Sequence, residues 1–266
     1  MKKLMTALAV CTVAGFAVAQ TVTSANVVGY NTVTLNQGFT MLAVNLDNVA
    51  APADGIDINT LIPGSVSTNL LRGATGTAAD NIMVFNSGSQ SYNIYYLYYA
   101  TKGTTTYNNQ WVVNASTLAT NKFKSGDTFW YNKRTAIPVT IQFAGQVPND
   151  ASKTRAIVNG YNMIGSGYAA DWDPNSLGTT YWSTNGAFRS GTGSSADNIM
   201  VYNNGSQSYA IYYLYYATKG TTTYNNQWVL NATTKAPTNF VTLGSAVWYN
   251  HRGTGFTLPQ SVPYSL

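Results

Sequence analysis

The chain has 266 residues, 14 Lys and Arg against nine acidic residues, and only 9% charged side chains, far below the quarter usual in globular domains. The few charges are scattered, so no basic cluster addresses a nucleic acid or an anionic membrane. All nine acids are Asp and 20 residues are Tyr; with Glu absent and β-branched and aromatic residues plentiful, strands and turns are expected and a helical fold is excluded.

The first elements in the chain concern export. Lys2 and Lys3 precede an apolar run from Met5 to Ala17, too short to cross a bilayer, and Ala17-Val18-Ala19 has the small-x-small form of a cleavage site. Residues 1–19 therefore read as a signal peptide, cleavage leaves Gln20 first, and the location expected is secreted, extracellular or cell surface. Cys11, the single cysteine, falls in the discarded segment, so the mature chain has no disulfide and no thiolate. Without Lys2 and Lys3 the balance is 12 basic residues to nine acidic, and no second apolar stretch suggests a membrane span.

Residues 21–35 carry Val22, Val27, Val28, Tyr30 and Val33, a β-prone run lying before the point where internal similarity begins. Such a segment either folds back onto its own domain or adds a strand to the next molecule. A helical turn is expected around Asn59–Leu61, then strands over 81–85, 92–100, 110–113, 128–132 and 139–143, the last alternating Ile141 and Phe143 with Thr140 and Gln142. Asn86-Ser87-Gly88-Ser89 reads as a tight turn between the first two.

The chain repeats itself. Residues 79–117 and 196–234 align at an offset of 117 with five differences in 39 positions: Phe85/Tyr202, Ser87/Asn204, Asn93/Ala210, Val113/Leu230 and Ser116/Thr233. Looser matches flank the block, among them Gly38–Leu42 with Gly160–Ile164 and Phe129–Asn132 with Val247–Asn250. The expectation is two tandem β-sandwich-like domains from an internal duplication, 20–148 and 149–266, joined in the polar stretch from Pro148 to Lys153. The block is either a recent duplication or one surface offered twice to the same partner.

In each copy a tyrosine-rich strand is apolar on both sides. Ile94, Tyr96 and Tyr98 face one way and Tyr95, Leu97 and Tyr99 the other; Tyr212, Tyr213, Tyr215 and Tyr216 repeat the pattern. Either a second layer covers this strand, or one face is an aromatic strip for a neighbouring subunit or a sugar.

Val27-Val28-Gly29-Tyr30 with Thr32–Leu35, the Asn81–Tyr92 hairpin, Gln110-Trp111, the G-D-x-F-W of Gly126–Trp130 and the T-I-x-F-x-G-x-V-P of Thr140–Pro148 occur in that order. The series resembles an uncharacterised family of secreted bacterial β proteins. The last motif degrades in copy two, where Pro259 and Gln260 stand near the places of Ala144 and Gly145. The resemblance implies an extracellular location and adds no activity.

Chemistry is thinly signposted. His251 is the one histidine, beside no G-x-S-x-G elbow, and reads as a surface residue at a strand end. Asp80 and Asp197 precede strands and read as turn caps. Asp171-Trp172-Asp173-Pro174-Asn175 has calcium-loop spacing, but Ser176 replaces the required glycine. Gly73–Gly76 and Gly191–Gly193 lack a phosphate-loop lysine. The reading is of a non-enzyme without metal or cofactor: an extracellular structural protein, a self-assembling subunit of a filament, surface layer or matrix whose partner is itself. The alternative is a carbohydrate-binding or adhesive module with a polysaccharide partner. For either role the candidate surface comprises Val27, Val28, Tyr30, Val33, Tyr95, Tyr96, Tyr98, Tyr99, Tyr212, Tyr213, Tyr215 and Tyr216.

Overall fold

A computed structural model describes residues 27–266; the signal peptide expected over 1–19, Cys11 and Val22 lie outside the described residues. The chain is nearly all β, 42% strand and 8% helix. Copy one runs β1 (Val28–Leu35), β2 (Gly38–Ala43), β3 (Ile56–Asp57), α1 (Ile58–Leu61), β4 (Asn81–Asn86), β5 (Ser91–Leu97), β6 (Trp111–Asn114), β7 (Thr117–Leu118), β8 (Lys122–Phe123), β9 (Thr128–Lys133) and β10 (Val139–Gln146). Copy two runs β11 (Ser152–Ile157), β12 (Gly160–Gly165), α2 (Tyr181–Thr184), β13 (Asn198–Asn203), β14 (Ser208–Leu214), β15 (Trp228–Asn231), β16 (Thr234–Lys235), β17 (Ala246–His251) and β18 (Phe256–Ser261).

Each copy holds a six-stranded antiparallel sheet, ordered β2-β9-β4-β5-β6-β7 in the first and β12-β17-β13-β14-β15-β16 in the second. Over one face lies a two-stranded ladder of the copy's first and last strands, β1 with β10 and β11 with β18. The strip between them is apolar because the strands alternate: Leu35, Val139, Ile141 and Phe143 from the ladder meet Leu42, Ile82, Leu97, Trp111, Phe129 and Tyr131 from the sheet. Copy two builds the same core on Ile157 and Leu258 against Ile164, Ile199, Leu214, Trp228, Val247 and Tyr249, with Trp182 of α2 added.

The β-prone N-terminal segment folds onto its own domain: β1 pairs with β10 throughout, Val28 opposite Gln146 and Leu35 opposite Val139. Copy two has its counterpart, since Ser152 stands opposite Ser261 and Ile157 opposite Phe256. The internal similarity thus starts earlier than residue 38; β1 and β11 share the period of a strand but few residues. The strand expected over 92–100 ends at Leu97, because Tyr98 leaves the ladder for a parallel bridge to Gly73. The hairpin turns form as their residues dictate: Asn86 Oδ1 accepts from Gly88 N (2.9 Å) and Ser89 N (3.1 Å), and Asn203 Oδ1 does the same for Gly205 and Ser206.

Candidate interaction surface

The most concentrated polar chemistry is a buried aspartate in each copy. Asp80 precedes β4 and is fully buried; Oδ1 accepts from Arg134 N (2.8 Å), Oδ2 from Leu71 N (3.2 Å) and the Tyr131 hydroxyl (3.0 Å). Asp197 takes Arg252 N (2.7 Å) on Oδ1, and Phe188 N (3.0 Å), the Tyr249 hydroxyl (2.6 Å) and His251 Nδ1 (2.8 Å) on Oδ2. These carboxylates do cap backbone N–H groups, as their place before a strand suggests, and they also tie β4 to β9 and β13 to β17. Burial raises the Asp80 pKa, against the hydrogen bonds from Arg134, Leu71 and Tyr131. Burial also drives the Tyr131 and Tyr249 hydroxyls well above the usual tyrosine range, and the adjacent aspartates push the same way.

His251 is not a surface residue: it is 1% exposed, because its strand runs beneath the ladder rather than along the rim. Its Nε2 lies 2.8 Å from the Thr254 carbonyl oxygen and its Nδ1 against the Asp197 carboxylate. A carboxylate and a carbonyl both accept, so the two contacts together favour the protonated ring. Burial would lower its pKa, but the bonds to Asp197 and Thr254 outweigh that and raise it. Lys133 occupies the same register in copy one, opposite Gly38 as His251 is opposite Gly160, with Nζ on the Asn69 (3.3 Å) and Thr135 (3.0 Å) carbonyls. Burial lowers the Lys133 pKa while Asp80 opposes it. With both nitrogens engaged, and the Tyr249 hydroxyl on the same carboxylate, the Asp197–His251 pair ties β17 to the start of β13. Asp173 and Asp171 are also occupied, accepting from Asn175 N (2.8 Å) and Leu243 N (2.7 Å).

The second face of each six-stranded sheet packs on the other copy. Met41, Ala43 and Trp130 meet Met163, Ala246 and Trp248, flanked by Met83, Phe85, Met200 and Tyr202. The contacts are reciprocal. Phe85 meets Trp248 edge-on at 4.7 Å between ring centroids, and Tyr202 meets Trp130 at 4.8 Å. Gln90, at one hairpin tip, bonds Tyr161 N (2.9 Å) and O (2.8 Å); Gln207, at the other, bonds Phe39 N (3.0 Å) and O (3.1 Å). A contact of one copy with the second, matched by the reverse contact, defines a pseudo-two-fold axis through the seam. Sequence reasoning missed this seam. Its signal was a second set of large apolar residues, Met41, Met83 and Trp130, alternating with the core set at matching places in both copies.

The residues expected to form an interaction surface are scattered by the fold. Tyr95, Tyr96, Tyr98 and Tyr215 are buried; Tyr212, Tyr213 and Tyr216 are half-buried, and only Tyr99 of the eight is exposed. The reason is a second layer. Tyr95 lies in the core with its hydroxyl on Asn121 Oδ1 (2.8 Å), Tyr96 and Tyr98 pack with Ala79 and Val112, and Tyr216 lies under the Arg189 guanidinium, 4.0 Å from ring centre to Cζ. Of the N-terminal set, Val33 packs against the core, whereas Val28 and Tyr30 are exposed on the outer side of β1 and Val27 is exposed just before it. Exposed on the repeated block are Tyr92 and Ile94 in copy one and Tyr209 and Ile211 in copy two, at equivalent places flanking the seam. Among the described residues no helix is long and apolar enough to cross a membrane, and no cluster of three His, Cys, Asp or Glu could hold a metal.

No protein-family model, no curated protein and no solved structure matches the chain.

Proposed function

We propose that this chain is an extracellular structural protein that assembles with copies of itself. The observation that carries the reading is the duplicated exposed patch: Tyr92 with Ile94, and Tyr209 with Ile211, are the same residues at the same places on a three-residue stretch of strand, related by the pseudo-two-fold axis, and Tyr92 and Tyr209 line one shallow pocket together. A patch that spans its own pseudo-two-fold axis is self-complementary, so two molecules can meet through it face to face. The 9% charge content supports the reading, since little repulsion opposes the approach of like molecules. The sequence at residues 1–19 supplies the export step and the cell exterior as the location.

The glycan-binding alternative called on Trp and Tyr as stacking platforms. Trp130 and Trp248 are only 5% and 6% exposed, spent on the seam. The assembly reading is therefore preferred.

The test uses charge to block one half of the patch at a time. The parent is expected to self-associate, with a sedimentation coefficient that rises with concentration. Ile94→Lys alone is expected to weaken the association; Ile94→Lys with Ile211→Lys is expected to stay monomeric. If the double variant assembles as the parent does, or the parent stays monomeric at high concentration, the reading is wrong.

A further inference from the structure

The pseudo-two-fold axis generates two equivalent clefts, one at each end of the seam, and the chain has made them different. Four pairs of equivalent positions carry the difference. Where the first cleft has Asn45, Val33, Phe143 and Ser245, the second has Gly167, Arg155, Gln260 and Asp127; the equivalences follow from the strand registers.

In the first cleft Asn45 fills the space. Its Nδ2 donates to the Ser166 (2.7 Å) and Tyr168 (3.1 Å) carbonyls, its Oδ1 accepts from Gly244 N (2.8 Å), and Ala43 N reaches Gly244 O at 2.9 Å. Val33 closes the side against the core. This end of the seam is plugged by backbone and amide bonds between the copies.

In the second cleft Gly167 has no side chain to do this, and a cavity of about 250 Å³ remains, lined by Ser125, Asp127, Lys153, Arg155 and Gln260. Gln260 is committed to the frame, accepting from Gly167 N (2.6 Å) and donating to Gly165 O (3.0 Å). Lys153 is neutralised by Asp150 (3.0 Å) and Asp47 (3.5 Å). Arg155 is different. One Nη1 hydrogen bond runs to the Gly126 carbonyl, and no carboxylate among the described residues comes within 4.0 Å, so the guanidinium has no ion pair. The neighbouring Asp127 has its Oδ2 on Lys124 N at 2.8 Å. Holding a half-buried cation without an ion pair is costly. The nearest carboxylate, Asp127, attracts it only from beyond ion-pair distance. The equivalent position works with valine, so the fold does not demand that cost.

We infer that this cleft is a binding site for a small carboxylate, held by the Arg155 guanidinium. A planar fork of N–H groups matches a carboxylate bidentately, and Thr154 at the rim offers a hydroxyl to the remainder of the ligand. The volume suits one sugar ring or one amino-acid residue, so the carboxylate comes from a uronic acid or from a peptide C-terminus. The site is independent of the Tyr92 and Ile94 patch and of the assembly reading.

The test titrates the full-length mature chain, isotopically labelled, with glucuronate, N-acetylglycine and, as neutral control, glucose, following backbone amide shifts. Saturable shifts confined to residues 125–127 and 153–155 with glucuronate assign a sugar acid; the same shifts with N-acetylglycine assign a peptide carboxylate. Arg155→Val restores what the first cleft has and is expected to fold; binding should weaken by about tenfold or more, the worth of a lost bond to a charged group. Arg155→Lys keeps the charge without the fork and is expected to bind at an intermediate strength. The proposal fails if neither acid shifts those amides, if glucose shifts them equally, or if Arg155→Val binds as the parent does.

Discussion

At the scale of single residues, two pairs of equivalent side chains meet different surroundings. Trp111 donates its Nε1 hydrogen to the Ile62 carbonyl at 2.7 Å, whereas Trp228 Nε1 is buried with no partner, beside the inserted Trp182 at 5.1 Å between centroids. Trp111→Phe and Trp228→Phe lose the same ring area, so the difference between them isolates one hydrogen bond. Trp111→Phe is expected to destabilise its copy by about 1–2 kcal/mol more than Trp228→Phe destabilises the other. Urea unfolding of both variants checks this; equal losses would mean that the indole bond contributes nothing. The second pair is Lys133 and His251. His251 has a folded pKa above its ordinary value of 6.5, so the folded protein holds that proton more tightly than the unfolded chain. The stability it supplies is full below pH 6.5 and is lost as pH rises through the folded value. The urea midpoint of copy two should therefore fall with rising pH in this range, and His251→Gln should flatten the dependence. The raised pKa of Asp80 has the same sign, but its window lies in the acid range.

At the scale of elements, the close approach of β2 and β12 sets how the two sheets dock. A Cβ on Gly165 would overlap the Ala43 Cβ, with Thr128 Cγ2 and the Ser245 carbonyl next nearest at 3.3 Å. Gly165→Ala is expected to loosen the seam by about 1–3 kcal/mol as an overpacking change. Ala43→Gly in the same chain moves the methyl group across the axis and should recover most of the loss. Differential scanning calorimetry of the two single variants and the double variant measures the coupling, and simple additivity would show that the two residues do not meet. Gly38 and Gly160 have φ near +97° and +93° and lie against the Gln207 and Gln90 side chains, so glycine is required there both for backbone and for space. Most elements were legible in the sequence because their signals are local. Alternation marked Val139–Phe143, Asn-Gly chemistry marked the turns, and duplication marked the paired sheets. β11 was hidden because Arg155 stands where copy one has the partly buried Val33 and Lys153 where it has Asn31, and those two residues line the charged cleft. The tyrosines misled for a different reason: a two-sided apolar strand reads alike whether its second face meets solvent, a loop or another sheet.

At the scale of the whole molecule, the seam has the form of a symmetric dimer interface closed within one chain. Residues 27–148 made alone would expose Met41, Met83, Phe85 and Trp130, and are expected to dimerise through that face; a monomer in sedimentation equilibrium would argue that the linker, not the face, holds the copies together. The near-identity of residues 79–117 and 196–234 gains a physical account here. Each hairpin docks on the other copy, so a change in one hairpin meets the other copy's sheet, and similar surfaces suit reciprocal contacts.

The pairing of first strand with last in each copy has a mechanical consequence. Val28 lies opposite Gln146, and Ser152 opposite Ser261, so each copy is entered and left at the same end of one antiparallel ladder. Tension applied along the chain pulls those two strands apart like the sides of a zip, loading one residue pair after another instead of the whole ladder together. A fibre that carried load from chain end to chain end would open each copy at low force. A fibre joined through the faces of its sheets would leave both ladders unloaded, so the copies would bear strain as rigid bodies.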